Sequence, residues 1–251
     1  MFGLFKKKAQ ATVPPVGGDW SFLGTDMHSH FIPGIDDGAQ TMEDSLELLR
    51  QMSAGGFSKV VTTPHISADY FPRNTRDNIL EGLEMLDAAA RQEHIPLVIE
   101  AAAEYMIDER FLAQLRRREP LLYFGDRYVL VEMGFVQASP LLQPALFELQ
   151  AMGYRPVLAH PERYNYYHAQ PLEPLIQLKE SGCYLQLNTI ALSGYYGENV
   201  NIIANKLLNE GLYSFLGSDI HHRRHQKALN TILRSEYLPR LMQAPLLNNT
   251  I

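Results

Sequence analysis

The segment YVLVEM, residues 128–133, sets a carboxylate at the end of an unbroken apolar run. The run is too short and too β-branched for a buried helix, and it does not alternate with polar residues. It reads as a strand covered on both faces, as in a parallel sheet flanked by helices. Glu132 then lies at the strand's C-terminal tip. A buried carboxylate without a partner is costly, so this position calls for a cation or strong donors.

The same grammar repeats along the chain. FLGTDMH (22–28), KVVTT (59–63), PLVIEA (96–101), PVLAH (156–160), CYLQLN (183–188) and YSFLGSD (213–219) read as further strands, giving seven with YVLVE. Helical patterns separate most of them, at the roughly 30-residue spacing of a βα unit. Thr41 caps MEDSLELLRQMSAGG, with Asp44 at the capping-box position and Gly55-Gly56 as the stop. Asn74 is the expected cap of the next helix, Ser139-Pro140 the expected start of a third, and Gly211 the end of ENVNIIANKLLNEG. Seven strands joined mainly through helices predict an α/β fold with a closed or nearly closed parallel barrel, a doubly wound open sheet being the competitor.

Ligand-type side chains gather at the strand ends. His28 and His30 follow the first strand, His65 the second and Glu104 the third. Glu132 ends the fourth, His160 ends the fifth, and Asp219 and His221 follow the last. Asp37 lies on the first loop, in a twelve-residue stretch (26–37) holding two histidines and three aspartates. In a parallel barrel these ends form the catalytic rim. On extended backbone, side chains at i and i+2 point the same way, so His28 with His30, and Asp219 with His221, can grip one ion. A lone His-x-His is more often structural, but six strand ends each bearing such a residue are not explained by solvated charges. A set of His, Asp and Glu without thiolates suits zinc, manganese or iron with positions open to water. Nine donors exceed what one ion takes, so two or three clustered ions are expected, with Glu132 as the shared carboxylate.

DMHSHFIPGIDDG, TTPH, EY at 104–105, VLVEM, AHPERY and GSDIHH together resemble the PHP (polymerase and histidinol phosphatase) superfamily. More narrowly, they resemble its bacterial protein-tyrosine phosphatases of capsule and exopolysaccharide clusters, over about residues 22–225. The resemblance implies a distorted seven-stranded (β/α)7 barrel and a trinuclear site, most often manganese. Its ligands would be His28, His30, Asp37, His65, Glu104, Glu132, His160, Asp219 and His221, with Asp37, Glu132 and Arg163 in the catalytic machinery. Arg163 matches a phosphate-binding arginine. A second arginine usually follows the last histidine; HHRRHQ offers Arg223 and Arg224 at a different spacing. Tyr70 and Phe71, on the loop after His65, would stack on a phosphotyrosine ring, or simply pack the loop. The implied partner is the tyrosine-phosphorylated tail of a bacterial kinase that controls polysaccharide export. A phosphatase for a small phosphomonoester such as histidinol phosphate is the alternative. An amidohydrolase is disfavoured because no lysine falls at a strand end.

The formal charge of −6 argues against a nucleic-acid groove. Cys183 cannot serve a thiol-based phosphatase, because Thr189 stands where the arginine of the phosphate loop belongs. Residues 1–20 read as a solvated tail before a single domain over 21–251. The competing reading of that tail is a weak membrane-surface anchor, with Phe2, Leu4 and Phe5 in lipid and Lys6 to Lys8 on headgroups. With no secretory core or spanning run, a cytoplasmic location is expected, or the inner membrane face if the tail anchors.

Overall fold

The computed structural model describes residues 18–168 and 172–251. The expected tail and anchor fall on residues 1–17, outside them. Trp20, assigned to the tail by sequence, is instead wholly buried and stacked on Phe57 at 5.8 Å. An indole beside an apolar helix gains more from burial than a tail residue would, so ordered packing begins before the expected boundary.

Each of the seven expected segments holds a strand: β1 (Thr25–Asp26), β2 (Lys59–Thr62), β4 (Val98–Ala101), β6 (Tyr128–Glu132), β7 (Arg155–Ala159), β8 (Tyr184–Asn188) and β9 (Phe215–Gly217). Two short additions, β3 (His65–Ile66) and β5 (Glu104–Met106), were not expected. All pairings are parallel, in two sheets ordered β1-β2-β4 and β3-β5-β6-β7-β8-β9. The additions continue β2 and β4 beyond short breaks. Pro64 lacks the N–H that an unbroken ladder would use there. Pairing survives through the bonds Ala102 N to Thr62 O (2.9 Å) and Glu104 N to Pro64 O (3.1 Å). The result is an α/β fold with a curled parallel sheet.

Helices α1 (Met42–Ala54), α2 (Arg76–Gln92), α3 (Glu109–Arg116), α4 (Leu142–Ala151), α5 (Glu173–Glu180), α6 (Glu198–Asn209), α7 (Arg223–Ile232) and α8 (Leu238–Gln243) accompany the strands. Thr41 caps α1 as expected. The cap of α2 is Thr75, reciprocated by Asn78, rather than Asn74. Asn74 is buried and spends its amide on Ile35 O (3.0 Å) and His65 O (2.8 Å), tying together two loops at the strand ends. The third expected helix starts at Leu142, because the Ser139 hydroxyl accepts the Leu141 N–H in a turn before it.

β6 explains the core. Val129 and Val131 join the large cluster shared with the helices. Tyr128 and Leu130 join a smaller inner cluster with Met27, Val61, Ala102, Val157, Ala159 and Phe215, drawn from most of the strands. Glu132 has the parity of Tyr128 and Leu130, so it continues the inner row toward the strand tips.

At the opposite end, Asn248 acts as a surrogate strand residue. Its amide donates to Thr25 O (2.9 Å) and Leu216 O (2.8 Å) and accepts from Leu216 N (3.0 Å), linking β1 to β9. Asn248→Ala leaves these buried groups unpaired. The expected cost is about 3 kcal/mol, read as a fall of roughly 6–12 °C in thermal midpoint. An unchanged midpoint would remove Asn248 from any role in closing the sheet.

Candidate metal centre

The strand tips bring the nine expected donors together. Buried Glu104, in β5, is the hub: Oε2 lies 3.1 Å from His28 Nε2 and 3.2 Å from His65 Nδ1, and Oε1 lies 2.9 Å from His160 Nε2. Asp219 Oδ1 lies 3.3 Å from both His28 Nε2 and His30 Nε2, and 3.4 Å from His221 Nδ1. Glu132 Oε1 meets His65 Nδ1 at 2.8 Å. Asp37 Oδ1 stands 3.3 Å from His221 Nε2 and 3.5 Å from His65 Nε2, on the solvent side.

Among the described residues, three sets have donor atoms within 4.8 Å of one another: His28, His30, Glu104 and Asp219; His30, Asp37, His65 and His221; and His65, Glu104 and Glu132. Glu104 belongs to two sets and Glu132 to one. Glu104 thus lies between His28 and His65, while Glu132, the expected shared carboxylate, meets His65.

The donor chemistry fits divalent cations. His28 Nε2, His30 Nε2 and Asp219 Oδ1 form a triangle with sides of 3.3 Å. Protons cannot satisfy all three corners, since each neutral imidazole offers a single N–H. His160 Nδ1 is buried with no hydrogen-bond partner. Electrostatics agree. Burial opposes charge on His65, but Glu132 and Glu104 outweigh it and raise its pKa to about 9. Burial likewise opposes ionisation of Glu104 and Asp219, yet His28 and the surrounding cations hold both well below the usual carboxylate range. The buried carboxylates of the cluster favour positive charge beside them.

Two of the nine donor residues sit in left-handed backbone, His160 at φ 35° and Asp219 at φ 51°. Such conformations cost about 1 kcal/mol or more outside glycine and mark constrained sites.

Beside the cluster a cleft of about 340 Å³ is lined by Asp37, Arg163, Tyr196, Asp219, His221, His222 and His225. Arg163 Nη1 donates to Asp219 Oδ2 at 2.6 Å. Phe71 stacks on His65 at 5.2 Å, whereas Tyr70 is 73% exposed. Arg223 and Arg224 do not share this cleft: they line a neighbouring one with Gly38, Gln40 and Asp44. They open α7, whose N-cap is His222.

Several contributors went unread in the sequence. Asp36 accepts from His30 Nδ1 (2.8 Å), Gly38 N (2.9 Å) and His65 N (3.1 Å), fixing His30 while leaving its Nε2 toward the cluster. Gln186 Oε1 pairs with His28 Nδ1 at 3.0 Å. Asn188 donates to Asp219 Oδ2 (2.8 Å) and to the Tyr196 hydroxyl (3.2 Å). Buried Glu162 accepts from Asn188 N and from the Tyr213 hydroxyl, anchoring the loop that bears His160 and Arg163. The inner parity of Gln186 and Asn188 in β8 was the available signal.

The family model for capsular polysaccharide synthesis, CpsB/CapC, matches residues 24–235. The chain belongs to the CpsB/CapC family. Within it, the chain is 29% identical to the tyrosine-protein phosphatase YwqE of Bacillus subtilis over 197 residues, covering 78% of this chain and 77% of that protein. It is 28% identical to the putative tyrosine-protein phosphatase CapC of Staphylococcus aureus, covering 78% and 76%. Among solved structures it matches one from work on YwqE and on CpsB of Streptococcus pneumoniae, described as unique metal-dependent tyrosine phosphatases. The TM-score is 0.76 at 29% identity, covering 90% of this chain and 94% of that one.

Among the described residues no helix is long and apolar enough to cross a membrane. Cys183 is 1% exposed, away from the cluster's donors, and burial pushes its thiol up to about 12. Thiol-alkylating reagents should leave the native protein unmodified over hours, as judged by mass spectrometry; rapid labelling would contradict the packing around β8.

Proposed function

We propose that this chain is a metal-dependent protein-tyrosine phosphatase, hydrolysing phosphotyrosine on a bacterial tyrosine kinase that governs capsule or exopolysaccharide synthesis. The observation that carries the reading is a single mouth in which an oxygen- and nitrogen-rich donor cluster meets a partly exposed arginine, Arg163. Family membership and the names of the relatives support it. The kinase tail as partner follows from the resemblance alone, and work at the inner face of the membrane from the reading of residues 2–8 as a surface anchor.

We read the two sheets as one distorted seven-stranded parallel barrel. Support comes from the bonds Asp219 N to His28 O (2.7 Å) and His30 N to Ile220 O (3.0 Å), which join the segments after β1 and β9. Two to three divalent ions fit the cluster, manganese first, with iron or zinc as alternatives. His28, His30, Glu104 and Asp219 would hold one; His30, Asp37, His65 and His221 a second; His65, Glu104 and Glu132, with His160 alongside, a third. When bound, such ions supply Lewis acidity toward a water and toward phosphoryl oxygens.

The chain's own residues do the rest. Arg163 keeps one N–H on Asp219 and turns its other donors to the cleft, where they can hold phosphoryl oxygens and offset developing charge. Asp36 and Gln186 fix the imidazoles of His30 and His28. Phe71 covers the His65 ring and narrows access for water. His225 is a poor proton donor, since burial pulls its pKa down to about 4. A tyrosinate leaving group, with a conjugate acid near pKa ~10, needs little protonation.

Protein stripped of metal, then given manganese, should release phosphate from a phosphotyrosine peptide faster than from a phosphoserine peptide, histidinol phosphate or an amide. Preference for histidinol phosphate would promote the small-molecule alternative. No release with manganese, iron or zinc would reject phosphatase chemistry.

Asp37→Ala and Glu132→Ala should each lower kcat/KM at least about 100-fold, with the circular dichroism of the fold retained. Asp36→Asn, which touches no ion in this scheme, should weaken metal affinity about 10–100-fold, measured by competition with a chromophoric chelator. Chelation should also lower the thermal midpoint, by roughly 5–10 °C from a state with ions at a hundredfold excess over Kd. An unshifted midpoint would mean that folding does not depend on the ions.

A further inference from the structure

Arg163 is held on three sides. Its guanidinium carbon lies 4.4 Å from the centroid of the Tyr196 ring and 4.8 Å from that of Phe135. In its plane, Nη1 bonds Asp219. The two rings come from the loops after β8 and β6, and Arg163 from the loop after β7 between them. Phe135 is 37% exposed on the rim, where its ring also lies 5.8 Å from that of His160 and 5.7 Å from that of Tyr164. The Tyr196 hydroxyl is tied by Asn188, which also holds Asp219.

We infer that Phe135 and Tyr196 are positioning residues, an aromatic clamp that fixes the plane of the Arg163 guanidinium and thereby sets the site's affinity for a phosphoryl group. This rests on the phosphatase reading of the site. The physical reason lies in the shape of the ion. All five guanidinium N–H groups lie in one plane, so rings stacked on its faces consume no hydrogen bond. One edge is committed to Asp219, and the two rings at 4.4 and 4.8 Å from the guanidinium carbon limit rotation about the remaining bonds. The free donors are then presented to the cleft in a fixed orientation. Cation–π contacts supply the restraint, and the flanking rings also exclude water that would weaken the contact with phosphate.

The test uses the full chain loaded with manganese, with inorganic phosphate as the probe in calorimetry and a phosphotyrosine peptide as the substrate in kinetics. Phe135→Ala and Tyr196→Ala should each weaken phosphate binding about five- to tenfold. KM should rise by the same factor, with ion content per chain as in the wild type. Tyr196→Leu, which restores volume without a π face, should behave as the alanine variant. Tyr196→Phe should recover phosphate affinity to within about twofold.

Wild-type affinity in both alanine variants would overturn the clamp. So would damage by Tyr196→Phe equal to that of Tyr196→Ala, which would assign the effect to the hydroxyl, or loss of ions from either alanine variant, which would make the role one of holding the cluster. If the wild type binds phosphate in a ring-dependent way yet hydrolyses none of the substrates, the clamp stands and the phosphatase reading falls. If the wild type binds no phosphate, the clamp falls, and the phosphatase reading falls with it only if no substrate is hydrolysed.

Discussion

The structure turns on a carboxylate buried where water cannot reach it. Glu104 is fully enclosed, and an isolated charge there would cost several kcal/mol even after relaxation. Three imidazoles meet it, from His28, His65 and His160, each delivered by a different strand end. Position along the chain has no bearing on this; only the common parallel direction of the strands brings the tips together. The fold and the site are therefore not separable, because strand register decides whether that charge is compensated. β5 is short, yet its pairing with β3 aligns Glu104 with His65, and its pairing with β6 aligns it with Leu130.

The apolar rows beneath the site are the other half of this constraint. β6 alternates between the helix-facing core and the inner cluster, and the inner row changes from apolar to ionisable at Glu132. β9 does the same, passing from Phe215 through Gly217 to Asp219. Gly217 is required there: a Cβ would fall 2.5 Å from the His28 Cβ and 2.8 Å from the Gln186 amide nitrogen. A dry lower layer gives the upper layer a rigid floor and a low dielectric, which strengthens every charge contact above it.

Much of this was legible because it is periodic. Runs such as YVLVE and PVLA identify strands by composition, and the donors at their ends follow from direction. Less legible were the features that depend on what one side chain does to another across the strand tips. Asp36 and Asp37 are adjacent and chemically identical, yet Asp36 is turned inward onto His30 while the Asp37 side chain is 63% exposed. Thr75 displaced Asn74 as a helix cap because Asn74 had better uses for its amide in two loop carbonyls. Gln186 and Asn188 look like ordinary polar residues in a strand until His28 and Asp219 are placed against them. Arg223 and Arg224 carry the right charge in the right neighbourhood, but the start of α7 directs them into another cleft.

Asp219 joins the two halves of the site. One oxygen faces His28, His30 and His221; the other accepts from Arg163 and Asn188. Its left-handed backbone, with that of His160, is what turns the carboxylate outward from the strand while its N–H still bonds His28 O. A carboxylate so divided cannot shift toward the histidines without pulling on the arginine, or rotate with the arginine without disturbing the histidines. In the proposed scheme, anion recognition at the mouth and cation retention in the cluster are thus mechanically coupled through one planar group. The strain at two non-glycine residues persists because the surrounding contacts over-determine it, the condition under which such conformations are held in a folded protein. This coupling also accounts for the rigid surroundings of Arg163: a guanidinium free to swing would carry Asp219 with it.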